Sequence, residues 1–78
     1  MRVLGIDPGL TRCGVGVVDG ITGRPPKLVA VGLVRTNTDS DLAVRLAQVA
    51  QGLEEWLEAH RPDVVAIERV FAQHNLNT

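Results

Sequence analysis

Aromatic side chains are almost missing from this chain: Trp56 and Phe71 are the only two, and there is no tyrosine. No stacking surface is therefore spread along its length. Cys13 is the lone cysteine, which rules out an intrachain disulfide and cannot by itself build a thiolate zinc cluster. Its ordinary reading is a small, half-buried strand residue. Neither sign of charge dominates: eight Lys and Arg stand against nine Asp and Glu, for a formal net charge of −1. The basic excess that usually marks a nucleic-acid binder is absent. No charged-then-apolar leader opens the sequence, and no apolar run approaches the roughly 20 residues that span a bilayer. The expectation is no membrane association and, by default, a cytoplasmic location. His60 and His74 have nothing to pair with as metal ligands.

What is present is a pair of acidic residues, each ending a strand-like apolar run. Asp7 follows Arg2-Val3-Leu4-Gly5-Ile6, and Glu68 follows Val64-Val65-Ala66-Ile67. A carboxylate at the carboxyl edge of a buried strand is costly to desolvate, so it is usually paired, hydrated or holding a metal. If the two strands lie parallel and adjacent, the backbones at these positions are about 5 Å apart, within reach of one cation.

Between them the pattern is readable. Residues 2–7 form a short strand, and Asp7-Pro8-Gly9 makes a turn in which glycine allows a sharp reversal. Residues 13–19 give a second, antiparallel strand. The segment 19–26 is too rich in glycine and proline for a sheet interior, and a third strand runs from Lys27 to about Arg35. Thr36 to Ser40 is polar, with Asp39 and Asp41 suited to a helix amino terminus. From Leu42 the apolar period lengthens: Leu42, Leu46, Val49, Leu53 and Trp56/Leu57 recur in steps of four and three, the stripe of an amphipathic helix. Gly52 costs that helix about 1 kcal/mol relative to alanine and marks close packing on the sheet. Pro62 ends the helix, and Val64 to Glu68 is the fourth strand. The last ten residues turn polar and resemble the entry to another helix.

The order β-β-β-α-β, with a right-handed crossover, predicts an α/β mixed sheet of strand order 3-2-1-4. Asp7 and Glu68 then share one edge of neighbouring parallel strands. The third and fourth strands are apolar on both faces, the mark of a sheet covered on both sides, and one helix covers only one side. The 78 residues are expected to be the first part of a single larger domain.

The stretch from Gly5 to Val18, GIDPGLTRCGVGVV, together with Val65-Ala66-Ile67-Glu68-Arg69-Val70-Phe71, resembles the RuvC family of Holliday junction resolvases, within the RNase H-like superfamily. Val34-Arg35-Thr36 and Phe71-Ala72-Gln73-His74-Asn75 extend the likeness. The resemblance implies a metal-dependent endonuclease for four-way DNA junctions in recombination and repair, working as a homodimer with a branch-migration motor complex. It assigns Asp7 and Glu68 as catalytic, metal-binding carboxylates, with two Mg²⁺ per complete site. Phe71 is implied to contact DNA, and Arg69, Gln73 and Asn75 are candidate DNA contacts beside it. The family's remaining acidic residues, from a carboxyl-terminal helix, have no counterpart here, so the 78 residues alone are expected to be inactive.

Residue chemistry agrees with that implication. Phosphodiester hydrolysis needs a nucleophilic water and a stabilised leaving oxygen, which two divalent ions about 4 Å apart supply. Hard cations prefer carboxylate oxygens without histidine or cysteine. Taken singly, an Asp before Pro-Gly is most often a turn residue and a strand-end Glu a solvated one; adjacency of the two favours a site. Arg12 and Arg69 are more often surface charges than phosphate ligands. The rival reading is an actin-like or sugar-kinase-type ATPase, whose first hairpin has a similar acidic residue and glycine turn; another is a non-catalytic binding module of the same fold.

Overall fold

The computed structural model describes residues 1–69. Four strands and one helix follow in the order β1 (Arg2–Asp7), β2 (Arg12–Asp19), β3 (Lys27–Arg35), α1 (Leu42–His60) and β4 (Val64–Ile67). The sheet order is β3-β2-β1-β4, as the connection lengths require. Antiparallel β1 and β2 pair from Arg2↔Asp19 to Asp7↔Gly14, and β4 joins β1 in parallel from Val3↔Val64 to Ile6↔Ile67. A register shift at Val17/Val18 leaves Val29 as an extra residue on β3 opposite β2. The structure starts β2 one residue earlier than the pattern suggests and ends β4 one residue sooner, at Ile67.

Strand alternation divides the sheet into two unlike faces. Leu4, Ile6, Cys13, Val15, Val17 and Val34 lie on one face and are all buried; Ala30, Leu53, Trp56 and Leu57 pack against them. Cys13 is fully enclosed there, more deeply than a half-buried strand residue. The other face carries Val3, Gly5, Gly14, Gly16, Val18, Val31 and Leu33 in an open trough with Asp7 at one end. No described element covers it.

Helix α1 starts where Asp41 accepts a hydrogen bond from the Val44 amide at 3.0 Å, the N-cap geometry that satisfies a free first-turn donor. It stops at His60, because Arg61 takes a left-handed conformation (φ 48°) and donates to the Leu57 carbonyl at 2.9 Å; Pro62 then prevents continuation. Two glycines set how closely the helix approaches the sheet. A Cβ at Gly52 would lie 2.5 Å from Val34 Cγ1, and one at Gly32 would lie 2.6 Å from the Trp56 ring. Only the second half of the apolar stripe uses this contact. Leu42 and Leu46 remain 59% and 55% exposed, since the described sheet does not extend beneath the helix's first turns.

Candidate metal centre

Asp7 closes β1, and Glu68 follows β4 directly. The Glu68 amide donates to the Ile6 carbonyl at 2.9 Å, so the parallel ladder continues up to the carboxylate. Gly5 and Ala66 are register partners; Asp7 and Glu68 each lie two residues further on and therefore point to the same, uncovered face. Their proximity shows in the electrostatics. The neighbouring Asp7 carboxyl, first by sharing a hydrogen bond and then by its charge, raises the Glu68 pKa above the ordinary 4.5; loss of hydration contributes least. Two carboxylates at one place accommodate either a shared proton or a cation.

The chain around Asp7 is cut to fit. Gly14 is its partner on β2, and a Cβ there would come within 3.4 Å of Asp7 Cβ and 3.9 Å of its Oδ2. Glycine at this position keeps space beside the carboxylate. Gly9 is required for a different reason than the turn pattern suggests. Among the described glycines only Gly23 has a positive φ, so Gly9 needs no special backbone angle. It needs room, because a Cβ would run into the Arg12 carbonyl oxygen.

The other sequence-assigned positions fare unequally. Arg69 is exposed, one residue past Glu68. Arg12 is exposed at the same sheet edge, directly opposite Arg35 of β3. Phe71, Gln73 and Asn75 lie outside the described residues. Among the described residues no group of three or more His, Cys, Asp or Glu side chains is assembled. The donors present are thus two hard carboxylates, mutually repelling on an open face. That set fits a magnesium-like ion, which binds through one or two carboxylates and keeps several waters.

Sequence reasoning passed over two side-chain systems. Arg2, read as part of an apolar run, forms a two-point ion pair with Asp19, Nε to Oδ1 at 2.8 Å and Nη2 to Oδ2 at 3.0 Å. Arg45, which lies off the apolar stripe of the helix, reaches Thr36 and Thr11 at the end of the sheet. The first was discoverable, because hairpin register places Arg2 and Asp19 opposite each other.

A β-β-β-α-β chain with order 3-2-1-4, an acidic residue ending central β1 and another directly following its parallel neighbour β4, is an RNase H-like fold. The family model described as Crossover junction endodeoxyribonuclease RuvC matches residues 3–78, and the chain belongs to that family. The crossover junction endodeoxyribonuclease RuvC of Streptomyces griseus is 63% identical over 78 residues, which are 100% of this chain and 38% of that protein. The Thermobifida fusca protein of the same name is 62% identical over 100% of this chain and 43% of its own length. Among solved structures, T. thermophilus RuvC in complex with Holliday junction substrate superposes with a TM-score of 0.81 at 33% identity, covering 96% of this chain and 48% of that one. The chain spans well under half the length of these curated relatives.

Proposed function

We propose that this chain supplies two carboxylates, Asp7 and Glu68, to the divalent-metal centre of an endonuclease that resolves four-way DNA junctions by phosphodiester hydrolysis. The observation that carries the reading is the meeting of these two acids, from strands far apart in sequence, on one open sheet face with no basic side chain bonded to either among the described residues. Family membership and the likeness to a RuvC solved with its junction support the substrate class. Two magnesium ions held there in the complete enzyme would supply Lewis acidity for phosphodiester hydrolysis.

The chain's own residues do the positioning. Asp7, at the end of a central strand, and Glu68, just past β4, would hold the metal, and Glu68 would also orient the attacking water. Gly14, by lacking a side chain, keeps the approach to Asp7 clear. Arg69 and Arg12 lie at the right edge to meet backbone phosphates, and Phe71, Gln73 and Asn75 complete the proposed DNA contacts.

The uncovered face supports the view that residues 1–78 are the amino-terminal part of one nuclease domain, whose remainder provides further acids and the second sheet cover. Homodimerisation, cooperation with a branch-migration motor and a cytoplasmic location are proposed with the activity; no helix among the described residues is long and apolar enough to cross a membrane. The test is incubation of the full-length protein with a four-way junction and with linear duplex. Paired, Mg²⁺-dependent cuts bearing 5′-phosphates and 3′-hydroxyls, in the junction alone, are expected. A melting temperature raised by ATP, with the junction left intact, would instead favour the ATPase reading.

A further inference from the structure

We infer that Arg45 is a positioning residue for the metal centre, acting with Thr36 as a latch on the turn that follows Asp7. The Arg45 guanidinium donates through Nε to Thr36 Oγ1 at 3.1 Å and through Nη2 to Thr11 Oγ1 at 3.0 Å. Thr36 Oγ1 in turn donates to the Leu10 carbonyl at 2.6 Å, and the Thr36 amide donates to the Thr11 carbonyl at 3.4 Å. Three hydrogen bonds thus converge on two adjacent residues of the short β1–β2 connection, and the fourth ties Arg45 to Thr36. That connection begins at the candidate metal ligand.

The donor is itself held in place. Arg45 lies in the first turn of α1, its amide bonded to the Asp41 carbonyl at 3.0 Å. Gln48, one turn on, accepts from the Asn37 amide at 3.0 Å and ties the preceding loop to the helix. The close seating of Gly52 on Val34 fixes the helix height above β3, so the planar guanidinium spans Thr36 and Thr11 at once. A lysine, with one compact ammonium, cannot reproduce that two-pronged reach. The opposite side of the turn is also constrained, because any side chain at Gly9 would strike the Arg12 carbonyl. Helix α1 therefore holds the segment immediately downstream of Asp7 although it covers the other face of the sheet.

This inference rests on the metal reading above, and its test separates the two. In the full-length protein, Mn²⁺ affinity is measured from the metal-induced rise in melting temperature, and the Mg²⁺ midpoint of junction cleavage is measured alongside. Loss of a partner that orients a metal ligand weakens affinity by about 10–100-fold. Because Arg45 acts through the turn, R45M and R45K are expected at the lower end, about tenfold. Metal-free melting and metal-free junction binding should stay near wild type. Thr36→Val should reproduce the defect, and Thr36→Ser, which keeps the hydroxyl, should restore metal affinity. Should R45M fail to fold, the Thr36 pair decides alone. Wild-type metal affinity in R45M or in Thr36→Val overturns the latch, as does weakened junction binding with unchanged metal affinity, which makes Arg45 a phosphate contact. A wild-type protein that binds no Mn²⁺ overturns the metal reading itself.

Discussion

At its amino end β1 carries a cation that is fully engaged, and at its carboxyl end an anion that is not. Arg2 gives Nε and Nη2 to Asp19 and Nη1 to the His60 carbonyl at 3.0 Å, while its amide donates to Asp63 Oδ2 at 2.7 Å. Asp63 returns a bond to the Arg2 carbonyl at 2.8 Å. Five residues along the same strand, Asp7 has Glu68 beside it and no arginine or lysine bonded to it among the described residues. The amino end is complete as it stands. The carboxyl end is left with like charges together, an arrangement that structural ends of strands avoid and that cation sites require.

The strongest way to break the contrast is to remove one of the two negative charges. Asp7→Asn keeps the shape but withdraws the charged oxygen, and cleavage by the full-length protein should fall to background while junction binding survives. Cleavage that persisted in this variant, in a gel assay with purified protein, would show the metal assignment to be wrong.

A second substitution copies the amino end's solution onto the carboxyl end. Glu68→Lys places a cation beside Asp7 and should raise the metal-free melting temperature. It should also erase the stabilisation by Mg²⁺, which for a bound protein reaches about 2.7 kcal/mol at a cation concentration one hundred times Kd. Calorimetry with and without the metal reads both effects, and a retained metal response would count against Glu68 as a ligand.

Space, rather than charge, separates the two ends next. Gly9→Ala drives a methyl group into the Arg12 carbonyl and should cost about 1–3 kcal/mol in chemical denaturation. At Gly16, where nothing lies within 4 Å, alanine should be nearly neutral in the 78-residue chain. Equal losses at both positions would mean that the turn after Asp7 is not tightly built.

The smallest effect is the most diagnostic, because the two ends should respond to pH with opposite sign. Arg2, chiefly by its hydrogen bond, lowers the Asp19 pKa below 3.8. The stabilisation from that pair is present above 3.8 and is lost as pH falls through the lowered value. Glu68, raised above 4.5 by Asp7, binds its proton more tightly in the folded chain. Its contribution is present below 4.5 and is lost as pH rises through the raised value. Metal-free melting against pH should show both slopes. Arg2→Met should flatten only the acid limb, and Asp7→Asn only the upper one; a single variant that flattened both would unite what the structure keeps apart.

Much of this was legible in the residues themselves. A carboxylate at the end of each apolar run, plus the short hairpins and one helical crossover, suffice to bring Asp7 and Glu68 together, since strand order follows from connection length and handedness. The stripe Leu42, Leu46, Val49, Leu53 and Trp56 tells which side of α1 is apolar. It does not tell how far the sheet runs beneath it, and so the exposure of Leu42 and Leu46 was hidden. The notches at Gly32 and Gly52 were half visible: Gly52 signalled close packing, but its contact with Val34 depends on three-dimensional register. Arg45 lies off that stripe, and helical period assigns a face only to its Cβ, while a long side chain with a forked end reaches around it.

The parallel pairing of β1 with β4 has a consequence for the order of assembly. The first hairpins need only local contacts, whereas β4 returns after the whole of α1 and, among the described residues, is held by one neighbour through four register pairs. Such late, long-range pairings form slowly and open readily. An ion clasped between Asp7 and Glu68 would then act as a staple on the last strand to dock, slowing hydrogen exchange of the β4 amides far more than those of β2. Binding of the metal and closure of the sheet would be one event, seen from two ends.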